Sequence, residues 1–232
     1  MRHPVVFLVD VDNTLVDNDR VAADLKRHLE REIGHEREAH YWAIFEALRA
    51  ELGYADYLGA LQRYRVAHPR DLQVLTVSSF LVDYPFANRL YPGSLDVLEQ
   101  FRAWGPTVIL SDGDAVFQPR KIERSGLHAL VEGHVLIYIH KEHELDDVER
   151  RYPADHYVLV DDKLRILTAV KRAWERRVTT VFVRQGHYAL EPRIDTTYPA
   201  PDVAVARIGE QLAYDLASLL TAARPSLEQL GR

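Results

Sequence analysis

Short apolar runs that do not alternate with polar residues recur along the chain. They lie at residues 5–9, 107–110, 135–139, 157–160 and 179–183, and a weaker run lies at 202–205. Such runs are typical of strands that are buried on both faces of a parallel sheet. Helical patterns separate most of the runs, which favours βαβ units with right-handed crossovers. We therefore predict an α/β fold with a mostly parallel sheet.

A long stretch between the first two apolar runs has helical periodicity and no clear strand pattern. Its apolar residues keep the spacing of helical faces at Val21, Leu25, Leu29, Ile44, Leu48 and Leu52. Because α/β sequence flanks this stretch on both sides, we predict an inserted all-helical domain over residues 17–85. Residues 1–16 and 86–232 would form the α/β core domain, with hinges near residues 15–18 and 84–89.

Four further helices are predicted in the second part of the chain. One begins at Ser94 and ends near Gly105, and the next has Pro119 at its first position and ends at Gly126. The others cover residues 166–174 and 208–220. The tail from Pro225 is predicted to fray.

Polar or charged residues directly follow four of the predicted strands. They are Asp10 and Asp12, Ser111 and Asp112, Lys141, and the pair Asp161 and Asp162. Because the carboxyl ends of parallel strands meet at one edge of the sheet, we expect these groups to lie together. Asp10 alone could simply start a turn or cap a helix. An EF-hand loop beginning there is excluded, since its sixth and twelfth positions are Leu15 and Val21 instead of Gly and Glu.

The gathered carboxylates indicate a hard divalent cation, because several of them would otherwise have to stay protonated. Mg²⁺ prefers oxygen ligands and usually binds a substrate phosphate oxygen as well. Lys141 would offset further negative charge, and Ser111, with the backbone N–H groups after it, could hold phosphate oxygens.

The composition excludes several other classes of function. The 232 residues are 47% hydrophobic and 28% charged, and the net charge is -6, with no basic face to follow a nucleic acid. The absence of cysteine excludes disulfides and thiolate ligands or nucleophiles. No leader and no apolar run of ~20 residues is visible, so we expect a cytoplasmic protein without a membrane span. No glycine-rich nucleotide fingerprint occurs.

The motifs at these strand ends resemble those of the haloacid dehalogenase-like hydrolase superfamily. The first is Asp-x-Asp-x-Thr, matched by Asp10 to Thr14, and the second is a Ser or Thr, matched by Ser111. The third is a lysine, matched by Lys141, and the fourth is an acidic pair, matched by Asp161 and Asp162. The resemblance covers nearly the full chain and implies a three-layer Rossmann-like core with a helical cap between motifs one and two.

The resemblance also implies roles for these residues. Asp10 would be the nucleophile that forms an aspartyl-phosphate, and Asp12 would be the general acid and base. Mg²⁺ would be held by the Asp10 carboxylate, the Asp12 main-chain carbonyl and Asp162, with Asp161 acting through a water. Lys141, Ser111 and Asp112 would surround the phosphoryl group. Dehalogenating relatives lack the second aspartate, so Asp12 favours phosphoryl transfer.

Other residues have simpler interpretations. Lys121 competes with Lys141 for the lysine role, but we expect it on a solvated helix face, and we expect Lys163 to be exposed. His140 and His143 are predicted to be surface residues, not zinc ligands, and Asp114 to cap the next helix. Cap residues that could face the site, none of them preferred, are His40, Tyr41, Arg49, Tyr54, Tyr57, Arg63, Tyr64 and Arg65.

The leading hypothesis is a Mg²⁺-dependent phosphatase that acts on a small phosphorylated metabolite. A phosphomutase or phosphotransferase could use the same intermediate, and a non-catalytic regulatory protein could keep the fold. We expect no nucleic-acid or membrane partner, and the protein would be a monomer or a homodimer.

Overall fold

A single six-stranded parallel sheet forms the centre of the molecule in a computed structural model that describes residues 2–223. The strand order is β3-β2-β1-β4-β5-β6. The strands are β1 (His3–Val9), β2 (Thr107–Asp112), β3 (Val135–Tyr138), β4 (Ala154–Asp161), β5 (Val178–Val183) and β6 (Val203–Val205). The prediction of an α/β fold with a parallel sheet is confirmed.

Besides four short 3₁₀ helices, twelve α-helices lie around the sheet among the described residues. The first four, between β1 and β2, are α1 (Asn18–Ile33), α2 (His35–Leu52), α3 (Tyr57–Ala67) and α4 (Val74–Asp83). They are followed by α5 (Ser94–Trp104), α6 (Phe117–Arg124), α7 (Leu127–Leu130), α8 (Leu145–Arg151) and α9 (Leu164–Trp174). The last three are α10 (Gly186–Ala189), α11 (Ile194–Thr197) and α12 (Leu216–Ala222). None of them is long and apolar enough to cross a lipid bilayer.

Strand β1 lies between β2 and β4, and its side chains are buried on both faces of the sheet. Val5, Phe7 and Val9 point into one hydrophobic core, whereas Val6 and Leu8 belong to a second core on the opposite face. This alternation is the geometry of a strand, in which successive side chains point to opposite faces. Burial on both faces explains why the sequence of β1 shows no polar alternation.

The four helices α1–α4 pack into the same core as Phe7 and its neighbours. Their buried residues include Val21, Leu25, Leu29, Tyr41, Phe45, Leu48, Leu61, Val77 and Leu81. The two chain segments that connect this helical block to the sheet run side by side. The Asp17 backbone N–H donates to the Arg89 carbonyl at 2.7 Å, and the Tyr91 N–H donates to the Leu15 carbonyl at 2.9 Å.

The structure differs from the sequence prediction near the C-terminal end. The prediction of a single helix over residues 208–220 is wrong, because a 3₁₀ helix at Ile208–Ala213 is followed by a separate helix, α12. Asp215 caps α12, and its carboxylate accepts the Ser218 backbone N–H at 2.7 Å. Pro119 is the third residue of α6 instead of the first. The predicted fraying from Pro225 lies outside the described residues.

Candidate active site

The loop after β1 holds the first carboxylate at the edge of the sheet. The backbone N–H of Asp10 donates to the Val160 carbonyl at 3.0 Å, so this residue still follows the parallel pairing with β4. The carboxyl group is buried, and Oδ2 accepts the Thr14 hydroxyl at 3.1 Å. Asn13 has a φ of 60°, a left-handed conformation that Asn tolerates better than most residues, and it turns the chain towards α1. The loop thereby fixes the orientation of Asp10.

Lys141 lies between two carboxylates at this edge, as its place after β3 predicts. Its Nζ is 2.5 Å from Asp10 Oδ1 and 2.7 Å from Asp161 Oδ2, and it donates to the Leu110 carbonyl at 3.1 Å. The side chain is 1% exposed. A buried ammonium needs such partners, because an unpaired charge in the interior is very costly.

Three buried carboxylates form a cluster that could hold a cation. Asp10, Asp161 and Asp162 each offer an oxygen within 4.8 Å of the others. Both oxygens of Asp162 are buried without a hydrogen-bond partner in the described part of the chain. In contrast, Asp161 accepts the Lys163 backbone N–H at 2.8 Å and is ion-paired with Lys141. One ammonium among three carboxylates leaves two negative charges, so the cluster fits a divalent cation with Asp162 as its freest ligand.

The pKa values of these groups agree with an incompletely neutralised site. Burial raises the pKa of Asp161 to about 6, although Lys141 opposes the shift. Burial, together with the neighbouring charge of Asp161, raises the pKa of Asp162 well above its usual range. Burial would lower the pKa of Lys141, but the Asp10 and Asp161 carboxylates outweigh it and raise this pKa. Asp112 also has a raised pKa, with burial as the largest cause.

The second aspartate of the loop has its own buried lysine, which the sequence analysis missed. Lys121 is 1% exposed, and its Nζ lies 2.5 Å from Asp12 Oδ1 and 3.0 Å from Asn18 Oδ1. The prediction that Lys121 lies on a solvated helix face is therefore wrong. The lysine follows Phe117 by one helical turn on the buried face of α6, and its ammonium lies 5.0 Å from the centre of that ring. The spacing of four residues between Phe117 and Lys121 could have indicated that the lysine lies on the same helix face as this aromatic residue.

Ser111 and Asp112 are the last two residues of β2, beside the carboxylate cluster. The Ser111 hydroxyl is buried and accepts a hydrogen bond from Gln118 Nε2 at 2.9 Å. Asp112 Oδ1 accepts the Lys141 backbone N–H at 2.7 Å, which links the ends of β2 and β3. Gln118 was not predicted as a site residue. It orients the Ser111 hydroxyl from the first turn of α6.

A cavity of about 340 Å³ opens above these residues, between the sheet edge and the helical block. Its wall includes Asp12, Asp112, Gln118, Lys121 and Lys163 from the core, and Trp42, Phe45, Arg49, Tyr54 and Tyr57 from the helical block. Of the eight cap candidates, Arg49, Tyr54 and Tyr57 line this cavity. His187 and Tyr188 of α10 complete the wall, and neither was predicted.

Lys163 is not exposed as predicted. It is partly buried in the cavity wall, and its Nζ lies 4.8 Å from the centre of the Tyr188 ring. Burial opposes ionisation of the ammonium, but the charges of Asp162, Asp10 and Asp161 prevail and raise its pKa. The position after an acidic pair gave no sign of this contact, because α10 lies more than twenty residues further along the chain.

The remaining predictions concern residues at the margin of the site. His143 is exposed and His140 is partly buried, and neither belongs to a group of potential metal ligands among residues 2–223. Asp114 caps α6 as predicted, because its Oδ1 accepts the backbone N–H groups of Val116 and Phe117 at 2.8 Å and 2.7 Å.

Comparison with known proteins agrees with this architecture. Residues 5–173 match the family model of the haloacid dehalogenase-like hydrolases. A haloacid dehalogenase-like hydrolase from Burkholderia xenovorans is 64% identical, with a TM-score of 0.88 over 92% of this chain and 99% of that chain. The chain therefore belongs to the haloacid dehalogenase-like hydrolase family. No curated protein matches the sequence significantly.

More distant structures share the fold alone. The hydrolase YfnB from Bacillus subtilis, solved bound to magnesium, is 15% identical with a TM-score of 0.61, over 92% of this chain and 98% of that chain. An L-2-haloacid dehalogenase from Xanthobacter autotrophicus is 19% identical with a TM-score of 0.57, over 90% of this chain and 96% of that chain. A shared fold does not determine the reaction, so the residues of the site must do so.

Proposed function

We propose that the protein is a Mg²⁺-dependent phosphatase that hydrolyses a small phosphate monoester. The observation that carries the proposal is the pair Asp12 and Lys121 at the floor of the cavity, beside Asp10. A phosphate ester needs a proton on its leaving oxygen, whereas a departing halide needs none. A second carboxylate, positioned by a buried lysine, has a use in the first reaction and none in the second.

Asp10 would attack the phosphorus atom with a carboxylate oxygen. The new bond joins Asp10 Oδ to phosphorus, the bond between phosphorus and the leaving oxygen breaks, and Asp12 gives that oxygen a proton. In the second step a water attacks the aspartyl-phosphate, Asp12 takes a proton from the water, and Asp10 is released with inorganic phosphate. Thr14 holds Asp10 Oδ2, and Lys141 holds Oδ1, so the nucleophile has one orientation.

The carboxylates of Asp10 and Asp162 and the Asp12 main-chain carbonyl would hold the Mg²⁺ ion, with Asp161 one shell further out. When bound, the ion would neutralise charge on the phosphoryl group. The lack of partners for both Asp162 oxygens within residues 2–223 supports this choice of ligands. The magnesium in the Bacillus subtilis relative agrees with it, although a 15% identical protein informs only on the fold.

Ser111 and Lys141 would surround the remaining phosphate oxygens. The Ser111 hydroxyl accepts from Gln118 at 2.9 Å and donates to the Asp112 carbonyl at 3.4 Å, a long hydrogen bond that it could exchange for one to a phosphate oxygen. The 340 Å³ cavity suits a metabolite more than a macromolecule, since small-molecule pockets start at about 300 Å³. Aromatic residues of α2 and α3 would exclude water from the bound ester.

The decisive experiment measures phosphate release from an aryl phosphate and from a panel of phosphorylated metabolites, with Mg²⁺ and with chelator. We expect Mg²⁺-dependent turnover that Asp10→Asn abolishes and that Asp12→Asn lowers by about 10²–10⁴-fold. Asp146→Asn, which removes an exposed carboxylate of α8, is the matched control and should keep full activity.

Three outcomes would contradict the proposal. They are the absence of turnover with Mg²⁺, turnover that survives Asp10→Asn, and halide release from 2-haloacids by a protein that is inactive on phosphate esters. Product analysis in the same assay separates hydrolysis from transfer, because a transferase would leave the phosphate on an organic acceptor instead of releasing it.

A further inference from the structure

Two cations contact one aromatic ring in the wall of the cavity. The guanidinium carbon of Arg49 lies 5.4 Å from the centre of the Tyr188 ring, and the Lys163 ammonium lies 4.8 Å from it. Arg49 also donates a hydrogen bond to the Tyr188 hydroxyl. Arg49 comes from α2 of the helical block and Lys163 follows β4, so the two charges are brought together only by the fold.

The same three residues line two cavities, together with Glu46, Gly53 and Arg165. One is the 340 Å³ cavity over Asp12, and the other, of about 460 Å³, lies beyond Tyr188. A molecule whose ester group lies at Asp12 would therefore meet Arg49 and Lys163 as it extends along the first cavity. The second cavity gives a longer substrate room to continue past them.

The other basic side chains of the first cavity already lie against carboxylates. Lys121 pairs with Asp12, Arg165 contacts Glu142, and His187 Nδ1 lies 2.6 Å from Asp19 Oδ1. These pairs need no further anion. A cation that is already paired attracts another anion less strongly. A negative group of a ligand would therefore bind more favourably at cations that are less well paired.

Arg49 and Lys163 are balanced less well. The only ion pair of Arg49 among the described residues is with Glu46 at 3.6 Å, and that carboxylate is 61% exposed, so the pair is weak. The Lys163 ammonium has no hydrogen bond or ion pair within residues 2–223; its direct contact is the Tyr188 ring, and the carboxylates of Asp162, Asp10 and Asp161 act on it only through space. Glu191 also lines the second cavity, on its far wall. Both cations line the same two cavities, and two like charges near one ring repel each other, so an anion bound there would relieve that repulsion.

We propose that Arg49 and Lys163 form a subsite for a second anionic group of the substrate, a carboxylate or a second phosphate. The inference rests on the proposed phosphatase function and narrows it to esters that carry another negative charge. Tyr188 contacts both cations through its ring. The planar guanidinium of Arg49 can donate two hydrogen bonds to the same oxyanion.

Matched substrate pairs test the subsite. One pair is 3-phosphoglycerate and glycerol 3-phosphate, which differ only in a carboxylate against a CH₂OH group. The other is propane-1,3-diol bisphosphate and its monophosphate. We expect the wild-type enzyme to prefer the more anionic member of at least one pair by about tenfold or more in kcat/KM, the usual size of a charge-assisted hydrogen bond. The pair with the larger preference identifies the kind of anion.

The variants test which residues carry the preference. Arg49→Met and Lys163→Met should each reduce the ratio of the two kcat/KM values about tenfold, while Arg49→Lys and Lys163→Arg should retain part of it. Lys26→Met removes a 61% exposed lysine of α1 and should leave the ratio unchanged. The ratio is used because a change in the metal site near Lys163 affects both substrates alike.

The failure of this inference is distinguishable from that of the proposed function. No turnover of any ester would refute the phosphatase and the subsite with it. Turnover with equal kcat/KM for both members of both pairs, or a preference that survives the two Met variants, would refute the subsite alone. A Tyr188→Phe variant that loses as much of the preference for the more anionic substrate as Arg49→Met would also refute the subsite. Arg49 would then act through its hydrogen bond to the Tyr188 hydroxyl, which connects α2 to α10, and not through the substrate.

Discussion

Replacing Asp162 with Asn should stabilise the protein when no metal is bound, although it removes a proposed ligand. In the folded protein the pKa of Asp162 is raised well above 3.8, first by burial and then by the charge of Asp161. The folded state therefore holds a proton that the unfolded chain gives up. Between the unfolded and folded pKa values, the free energy of unfolding must fall as the pH rises.

The magnitude follows from the linkage of one proton. Each pH unit within that window costs the wild type at most about 1.4 kcal/mol, the free energy that corresponds to one proton. The amide that replaces the Asp162 carboxyl group carries no proton to lose, so this part of the slope disappears in the variant. Asp161, with a pKa of about 6, titrates in both proteins and contributes to both curves in the same direction.

Urea unfolding of both proteins in chelator, at several pH values, measures the difference. As the pH rises above the unfolded pKa of Asp162, the variant should gain on the wild type by up to about 1.4 kcal/mol per pH unit. At pH 7.5, Mg²⁺ at about 100 times its Kd should then add about 2.7 kcal/mol to the wild type and far less to the variant. At pH 5 protons compete with the ion, so the wild-type gain should shrink.

Parallel stability curves for the two proteins in chelator would refute the account of Asp162 as a buried, unpartnered carboxylate. Equal stabilisation of both proteins by Mg²⁺ would refute its role as a ligand. The comparison of slopes is insensitive to the constant cost of placing an amide in the same position, because that cost does not change with pH.

Two further predictions concern the loop that carries the carboxylates. Lys121→Met should lower kcat/KM for an aryl phosphate by about 10²-fold, because Asp12 loses the cation that positions it, and Lys121→Arg should recover part of the activity. Unchanged activity in a folded Met variant would contradict this role. Gly186→Ala should destabilise the protein by about 1–3 kcal/mol in urea unfolding, since φ is +70° and a Cβ would collide with Asn13. Gly34→Ala, with a φ of +83° and no atom nearby, should cost less, and equal costs would show that the collision is unimportant.

The sheet and its carboxylates were predictable because they depend on local patterns. A buried parallel strand needs a continuous apolar run, and polar groups at its carboxyl end are adjacent in sequence to that run. Asp10, Lys141 and the pair Asp161 and Asp162 therefore came together as expected. The family was recognisable from the same residues, since the chemistry is attached to the strand ends.

The misplaced lysines show where sequence reasoning stops. Lys121 looks like any helix lysine, and only its position one turn after Phe117 indicates that it faces inward. Lys163 contacts Tyr188, and Arg49 reaches the same ring from another helix. Such contacts depend on how α2 and α10 lie over the sheet, and that arrangement is decided by packing between distant segments. The break before α12 was more accessible, because Asp215 and Ser218 have the spacing of a helix cap.

The position of β1 has a consequence for the internal motions of the molecule. Its backbone is hydrogen-bonded to β2 on one side and β4 on the other, and its side chains close two separate cores. Amides in such a strand exchange with solvent only when the whole domain opens. Strand β4 is paired with β1 and β5 and also has side chains in both cores, so hydrogen exchange should be slowest in β4 and in β1, directly before Asp10. Under the proposed function, the carboxylate that would align with phosphorus is attached to one of the two strands with the least local freedom, and any opening that admits substrate would come from elsewhere in the chain.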